Sequence, residues 1–307
     1  MRVFITGGTG FIGHYVAREL LECGHKLVIL ARHPDKIPYF SNHPNVEILP
    51  GTIYDGATIS KGLSGCEACI HIAFGWGETP LSMLENDTRV TVLMLQAAAK
   101  AGCRKFIYTS STAAMGKFRP LMTENVVNLP VDLYGATKAA GEAYVLGFRG
   151  TDMKRNIIRP GYTFGNPAFG NAGGTSQPDK RFAEMAKSIV NGTAIRLIKN
   201  DGTQFIHAGD QAKLFRQVLD CDMNEEIFLG LGKTWISWKS IAQKMMAAYE
   251  KLAGKTSSAF IEERDLGWSD SPMLFSVEKI ATLFNLRFDA QENMDEHIEW
   301  QLQNALR

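Results

Sequence analysis

The sequence has no excess charge of either sign and no long apolar run. Its 307 residues include 33 Lys and Arg and 32 Asp and Glu, a net charge of +1. This balance gives no electrostatic reason to expect a nucleic acid or a membrane surface as partner. No apolar stretch approaches the roughly 18 residues of a membrane-spanning helix, and the first residues lack the apolar core of a signal peptide. We therefore expect a cytoplasmic globular protein.

Cysteine is scarce and scattered, which argues against a disulfide framework. The five cysteines are Cys23, Cys66, Cys69, Cys103 and Cys221. Cys66 and Cys69 have the spacing of half a zinc site or of a redox pair, but no second pair supplies further zinc ligands. Because they lead into an apolar run, we interpret them as small buried residues, and we predict no metal site.

Strand and helix patterns alternate through the first half of the chain. The strand-like apolar runs are residues 2–6, 26–31, 46–49, 68–73, 105–109 and 155–159. The helical patterns between them are residues 11–23, 57–63, 85–101 and 134–148. This alternation predicts an α/β fold with a Rossmann-like, doubly wound parallel sheet.

After Gly165 the alternation ends. Residues 165–178 contain four glycines and two prolines, and they predict a long loop of the kind that forms lids or binding sites. Helical patterns follow at residues 180–191, 211–220, 238–252, 277–284 and 294–306. We expect a sheet domain of residues 1–165 with about 203–235. A smaller, mostly helical substrate-binding portion would comprise about 166–202 and 236–307.

A glycine-rich turn follows the first predicted strand. Gly7, Gly10 and Gly13 are spaced G-x-x-G-x-x-G directly before a helical pattern. In dinucleotide-binding folds the first glycine permits a tight turn, the second admits the pyrophosphate, and the third lets helix and strand pack closely. The N–H groups of the helix N-terminus then face the phosphates. In this context of strand, turn and helix, the motif predicts a dinucleotide site.

The end of the second predicted strand bears on the choice between NAD and NADP. An acidic residue there would bind the ribose 2′-hydroxyl of NAD, but residues 30–34 contain none. Arg32 can pair with the 2′-phosphate of NADP and stack on the adenine. We therefore expect NADP, with NAD as the alternative. A solvated surface arginine is the plainer interpretation.

Tyr134 and Lys138 form a Y-x-x-x-K pair. Residues i and i+4 share a helix face, so the phenol and the ammonium can converge on one substrate atom. The charge of the lysine, together with that of an oxidised nicotinamide ring, would lower the pKa of the phenol. Tyr134 is therefore a candidate general acid or base. This spacing also arises by chance, so the assignment of the pair to an active site depends on its position after the fifth predicted strand.

Ser110 and Ser111 follow the fifth predicted strand. Open α/β sheets bind ligands beyond the carboxyl ends of their strands. A serine hydroxyl there can stabilise charge on a reacting oxygen, although either serine also suits a turn or a helix cap.

Together these features resemble the extended short-chain dehydrogenase/reductase family, also called the NAD-dependent epimerase/dehydratase family. The matching segments are residues 6–13, 70–73, 109–111, 134–138, 159–161, 205–210, 275–279 and 299–300. The resemblance implies a catalytic triad of Ser111, Tyr134 and Lys138. Tyr134 would exchange a proton with the substrate oxygen, and Lys138 would lower the pKa of that phenol and bind the nicotinamide ribose.

The resemblance also implies cofactor contacts and a homodimer. The predicted cofactor-binding residues are Gly7, Thr9, Gly10, Phe11, Ile12, Gly13, Arg32, Thr52, Ile53, Ala73, Tyr134, Lys138, Pro160, Gly161 and Tyr162. Ala73 would line the adenosine side, and residues 160–162 the nicotinamide amide. The family often dimerises through the helices that here span residues 85–101 and 134–148.

Three residues depart from the family pattern. Thr52 replaces an acid near the adenine, Asp87 replaces an asparagine, and Tyr162 replaces an asparagine common in nucleotide-sugar enzymes. Tyr162 and Arg32 favour an NADP(H)-dependent carbonyl reductase or alcohol dehydrogenase acting on a small molecule. One alternative is a nucleotide-sugar epimerase or dehydratase that retains its cofactor. Another is a cofactor-sensing binding protein without chemistry.

The substrate pocket carries no motif that identifies its ligand. We expect it between the loop of residues 165–178 and the C-terminal helices. Four aromatic residues are candidates for its lining or for the core: Phe74, Trp76, Phe164 and Phe169.

Overall fold

The computed structural model describes residues 1–34, 38–166 and 180–307. Its strands are β1 (Arg2–Thr6), β2 (Lys26–Ala31), β3 (Val46–Pro50), β4 (Ala68–His71), β5 (Lys105–Thr109), β6 (Leu121–Met122), β7 (Lys154–Pro160), β8 (Thr163–Phe164), β9 (Ala194–Ile198), β10 (Gly202–Gln204), β11 (Ile206–His207), β12 (Ile227–Gly230), β13 (Trp235–Ser237), β14 (Phe260–Arg264) and β15 (Leu274–Phe275). Its α-helices are α1 (Phe11–Glu22), α2 (Pro38–Ser41), α3 (Gly56–Leu63), α4 (Pro80–Met83), α5 (Arg89–Lys100), α6 (Leu133–Gly147), α7 (Arg181–Asn191), α8 (Ala208–Asp220), α9 (Trp238–Ala253), α10 (Glu278–Phe284) and α11 (Gln291–Ala305).

Seven of these strands form one parallel sheet in the order β12-β7-β5-β4-β1-β2-β3. Val3, Phe4 and Ile5 of the central β1 are completely buried, because helices cover both faces of a doubly wound parallel sheet. The predicted Rossmann-like fold class is confirmed. All six predicted strands are present, and β4 ends at His71, two residues before its predicted end.

Features of the sheet domain that were not predicted include an edge strand and a π-helix. The edge strand β12 has four residues, and no strand was predicted at its position. The predicted helix of residues 85–101 is interrupted, because a π-helix (Leu84–Thr88) joins α4 to α5. A π-helix accommodates one extra residue per turn, which simple helical periodicity does not reveal.

The C-terminal portion has its own apolar core around Phe182, Trp238 and Met294, where α7, α9 and α11 pack together. It also contains strands that the sequence patterns missed. β9 and β14 form a parallel pair and β10 and β13 an antiparallel one. These strands are short, and β14 is largely exposed. The predicted loop of residues 165–178 lies, beyond residue 166, outside the described residues, and the domain limits stay a prediction.

All five cysteines are free, and Cys66, Cys69 and Cys103 are buried. The interpretation of Cys66 and Cys69 as small buried residues is confirmed. Within residues 1–34, 38–166 and 180–307, no three His, Cys, Asp or Glu side chains lie close enough together to hold a metal ion. Over the same ranges, no helix has the length and apolar character needed to span a bilayer.

A buried ion pair joins α6 to the sheet. Arg159 of β7 donates to both carboxylate oxygens of Glu142 of α6, at 2.8 and 2.7 Å. The same carboxylate accepts the Ser110 hydroxyl at 2.5 Å and the Asn128 amide at 2.6 Å. Both charged side chains are only 2% exposed, so the pair and its neighbours fix α6 against the carboxyl ends of β5 and β7.

Replacement of Arg159 by leucine tests the importance of this pair for stability. Arg159→Leu leaves the carboxylate of Glu142 buried without its cation, so we expect the free energy of unfolding in urea to fall by about 3–5 kcal/mol. Arg196→Leu is the control, because Arg196 is 82% exposed in its pair with Glu262, and such pairs contribute at most about 1 kcal/mol. Similar losses of unfolding free energy in the two variants would contradict a special role of the buried Arg159–Glu142 pair in stability.

Candidate functional site

The glycine-rich turn is built by close contacts that exclude side chains. Gly7 has a φ of +72°, and a Cβ atom there would lie 2.5 Å from the backbone nitrogen of Ala73. A Cβ atom on Gly13 would lie 2.0 Å from the carbonyl oxygen of Gly7. Both values are far inside van der Waals contact, so β1, α1 and the segment after β4 approach each other only because these residues are glycines.

The N-terminus of α1 is open to a ligand. Gly10 is its extended N-cap, no side chain caps it, and its first turn carries no acidic residue. A Cβ atom on Gly10 would meet only the carbonyl oxygen of Gly7, at 3.2 Å. The first N–H groups and the positive end of the helix dipole are therefore available to an anion. This arrangement suits a diphosphate group.

A cavity of about 410 Å³ lies beside this turn. Ten sequence-predicted residues line it: Gly7, Thr9, Gly10, Phe11, Ile12, Gly13, Arg32, Thr52, Ile53 and Ala73. Leu30, Gly51, Tyr54, Ile72 and Phe74 complete its described lining. None of these residues is acidic, and Arg32, at the end of β2, is the one charged side chain among them.

A second cavity, of about 350 Å³, adjoins the first. It contains the other six sequence-predicted residues: Ser111, Tyr134, Lys138, Pro160, Gly161 and Tyr162. Ile12, Ile72 and Phe74 line both cavities, so together they form one cleft across the carboxyl ends of β1, β4, β5 and β7. The cleft thus runs from the helix N-terminus to the Tyr-Lys pair.

The start of α6 fixes Tyr134 relative to Ser111. Asp132 caps the helix by accepting the backbone N–H of Gly135 at 2.6 Å. A Cβ atom on Gly135 would lie 2.4 Å from the carbonyl oxygen of Ala113, so the helix rests directly on the turn that follows Ser111. The Ser111 hydroxyl accepts the N–H of Ala113 at 3.1 Å. Ser110 instead donates to Glu142, which leaves Ser111 as the serine beside Tyr134.

Burial is the largest effect on Tyr134 and raises the pKa of its phenol above the ordinary value. A hydrogen bond with Ser111 opposes this effect. The expectation that Lys138, together with an oxidised nicotinamide ring, lowers the pKa of this phenol stays a prediction, because the causes of the raised pKa are burial and the nearby carboxylates. Asp87, 3.6 Å from the ammonium, also compensates its charge.

His71 is buried at the end of β4. Its Nδ1 is 2.7 Å from the hydroxyl of Thr6, and its Nε2 is 3.3 Å from that of Thr91. Burial, with a smaller contribution from the charge of Lys138, lowers its pKa to about 3. The imidazole is therefore neutral near pH 7.

Phe74, a sequence candidate for the pocket lining or the core, lines both cavities and packs edge-on against Tyr134 at 5.1 Å between ring centres. Sequence patterns missed Arg181 at the substrate end. Arg181 also lines the second cavity and lies 4.4 Å over the ring of Trp238. No local motif marks either contact, because both join elements distant in sequence.

The other aromatic candidates have different positions. Trp76 is 64% exposed and outside both cavities, and Phe164 is buried in the C-terminal core. Phe169 lies outside the described residues.

A parallel sheet with a glycine turn at one end of a cleft and a Tyr-Lys pair at the other defines a class of dinucleotide-dependent enzymes. The sequence profile of the NAD dependent epimerase/dehydratase family matches residues 3–229. The chain belongs to this family, and the resemblance seen in its motifs is confirmed.

Individual relatives show the breadth of the family. The chain is 27% identical over 248 residues to Uncharacterized protein YLL056C of Saccharomyces cerevisiae, covering 79% of this chain and 78% of that one. It is 30% identical over 184 residues to a 3 beta-hydroxysteroid dehydrogenase/Delta 5-->4-isomerase of Mycobacterium tuberculosis, covering 54% of this chain and 48% of the relative.

A solved structure of UDP-glucuronic acid 4-epimerase from Bacillus cereus, in complex with NAD, has a similar fold. Its TM-score is 0.79 at 19% identity, and the match covers 100% of this chain and 99% of that one. At this identity the likeness establishes the fold.

The neutral His71 makes stability depend on pH. The pKa of His71 is about 3 in the folded chain, against about 6.5 for an unfolded histidine. Its stabilisation is therefore present above pH ~6.5 and is lost as the pH falls towards 3. We expect His71→Gln to reduce the loss of unfolding free energy between pH 7 and pH 5 by about 2 kcal/mol.

Urea titrations of the wild type and variant at several pH values measure this difference. His33→Gln is the control, because His33 lies at an exposed position and its replacement should leave the pH dependence unchanged. An equally steep pH dependence in His71→Gln and in the wild type would refute the prediction.

Proposed function

We propose that this protein is an NADP(H)-dependent oxidoreductase that transfers hydride to or from a carbonyl or hydroxyl carbon of a small molecule. The observation that carries the proposal is the convergence of Ser111, Tyr134 and Lys138 in one cavity that opens into the cavity of the glycine turn. A dinucleotide in this cleft would place its diphosphate at the N-terminus of α1 and its nicotinamide end beside Tyr134.

The proposed preference for NADP rests on Arg32. It lies at the end of β2 and lines the adenosine side of the cleft, which has no acidic side chain among its described lining residues. A carboxylate there would bind the 2′-hydroxyl of NAD and repel the 2′-phosphate of NADP. A guanidinium instead forms a charge-assisted contact with that phosphate.

Fluorescence titration with NADPH and NADH tests this preference. We expect the wild type to bind NADPH more tightly. We expect Arg32→Ala to weaken NADPH binding by about 10- to 100-fold and NADH binding much less, because the contact with the 2′-phosphate, worth about 1.5–3 kcal/mol, exists only with NADPH. Arg104→Ala, at a 70% exposed side chain paired with Glu67, should change neither affinity. A wild type that prefers NADH would overturn the proposal for Arg32.

The site residues suit proton transfer to a substrate oxygen. Bound NADPH supplies the hydride. The raised pKa of Tyr134 keeps its phenol protonated near pH 7, so in the reductive direction it can donate a proton to the oxygen of the accepting carbonyl. Ser111 hydrogen-bonds the same oxygen and stabilises its developing charge. Lys138 would bind the nicotinamide ribose of the cofactor and would favour the phenolate that remains.

Tyr134→Phe tests the proposed acid. We expect NADPH oxidation with a panel of aldehydes and ketones to fall by about 10²- to 10⁴-fold, with NADPH affinity unchanged, because only the proton donor is lost. Tyr144→Phe is the matched control, since Tyr144 is 54% exposed on the same helix. Retained turnover in Tyr134→Phe would exclude this mechanism.

The alternative is a nucleotide-sugar epimerase or dehydratase with a retained cofactor. Solved structures of similar fold include proteins bound to NAD with UDP-glucuronic acid or UDP-glucose. Against this alternative, Tyr162 contributes an aromatic ring to the pocket, packed 4.8 Å from Phe205. Conversion of UDP-glucose or UDP-glucuronic acid without net consumption of cofactor would favour it. A sensing protein without chemistry is disfavoured because all three triad residues line one cavity.

We also propose a homodimer formed through the helices of residues 85–101 and 134–148. Large apolar side chains are exposed on and beside these helices: Leu81, Leu84, Leu93, Leu133 and Tyr144. Their burial against a second copy would remove apolar surface from water. A cytoplasmic location stays a prediction.

A further inference from the structure

Lys138 and Asp87 form a buried pair at the back of the candidate active site. The ammonium nitrogen is 3.6 Å from the carboxylate, and the two side chains are 3% and 1% exposed. The other carboxylate oxygen of Asp87 accepts the backbone N–H of Gly75 at 3.2 Å. The carboxylate is therefore held between the segment after β4 and the lysine of α6.

The backbone around Asp87 is specialised for this position. Asp87 lies within the π-helix between α4 and α5, where the N–H of Arg89 bonds to the carbonyl of Leu84. Turns of this kind are rare and are often found at functional sites. A Cβ atom on Gly75 would lie 2.0 Å from the carbonyl oxygen of Asn86, so only glycine lets the two segments approach closely enough for this contact.

The other groups around Lys138 cannot replace this carboxylate. The rings of Phe74 and Tyr108 lie 4.8 and 5.3 Å from the ammonium. His71, from β4, is neutral near pH 7. Glu142, one turn further along α6, attracts the ammonium, but its charge is already paired with Arg159.

The groups that face Asp87 are few. They are Lys138 and Tyr134 of α6, Tyr108 of β5 and the N–H of Gly75. Among the described residues, Lys138 is thus the cation that faces this carboxylate.

Burial favours the neutral form of each partner. It lowers the pKa of Lys138 and raises that of Asp87, and the attraction between the two charges opposes both effects. The ordinary pKa values differ by about 6.5, while full burial can shift each group by about 3–5 units. Desolvation alone is therefore large enough to neutralise the pair, so the mutual attraction decides its ionisation.

We propose that Asp87 is a positioning residue that keeps Lys138 protonated and directed into the site. The inference rests on the proposed function, in which the protonated lysine binds the nicotinamide ribose and stabilises the phenolate of Tyr134. Asp87 itself does not reach the second cavity, so it acts only through Lys138. An uncharged side chain at residue 87 can accept a hydrogen bond but cannot offset the desolvation of an ammonium.

The ionisation of Lys138 can be measured directly, without substrate or cofactor. We would label lysine with ¹⁵N at Nζ, assign the Lys138 signal by its loss in Lys138→Met, and titrate it by NMR. In the wild type we expect the ammonium form at pH 7. In Asp87→Asn we expect the midpoint of titration to fall by at least about one pH unit, and in Asp87→Glu we expect it to return towards the wild-type value.

Glu85→Gln is the control, because Glu85 lies on the same π-helix but is exposed and paired with Arg89. It should leave the Lys138 midpoint unchanged. A wild-type Lys138 that is neutral at pH 7 would overturn the proposal, even if Asp87→Asn does not fold. An unchanged midpoint in a folded Asp87→Asn would also overturn it. Neither result depends on turnover, so failure of the proposed reaction in the Tyr134→Phe test remains a separate finding.

Discussion

The buried carboxylate of Glu142 is the constraint on which the site depends. It has left water and must satisfy its charge inside the protein, and it does so with Arg159, Ser110 and Asn128. These partners lie on or beside the ends of β5 and β7, so the helix that carries Glu142 has one favourable position over the sheet. Tyr134 lies two turns before Glu142 and Lys138 one turn before it. The ion pair of Glu142 with Arg159 therefore fixes where along the cleft the side chains of Tyr134 and Lys138 lie.

A second buried ion pair, between Lys138 and Asp87, affects the charge of the site, whereas the first affects the position of α6. The ammonium of Lys138 faces Asp87 at 3.6 Å, and desolvation raises the pKa of Tyr134. The chain by itself thus holds a protonated phenol beside a compensated cation. This state suits donation of a proton to a carbonyl oxygen, and the charge of an oxidised nicotinamide would favour the reverse direction. Tyr134, Lys138 and Asp87 therefore determine both the proposed proton transfer and the balance of charge inside the site.

The sequence predicted the features that are encoded locally. The glycine turn follows from spacing and from its place between strand and helix, and the Tyr134–Lys138 pair follows from i, i+4 geometry. The structure brings these residues to one cleft, as the common orientation of parallel strands requires. Phe74 was recognised as a candidate for the lining or the core, whereas Arg181 was not recognised, because its contacts join elements distant in sequence. Asp87 stood out as a departure from the family pattern, but its pairing depends on a π-helix that no simple periodicity reveals. In the C-terminal portion β14 is largely exposed, so no run of buried apolar residues marks it as a strand.

We propose that one continuous cleft holds the cofactor from the glycine turn to Tyr134. A crystal structure of the complex with NADP⁺ would show whether it does. We expect the 2′-phosphate at Arg32, the diphosphate at the N–H groups that open α1, and the nicotinamide ring beside the Tyr134 hydroxyl with its ribose at Lys138. A dinucleotide whose nicotinamide lies away from Tyr134, or whose diphosphate does not contact the glycine turn, would contradict it.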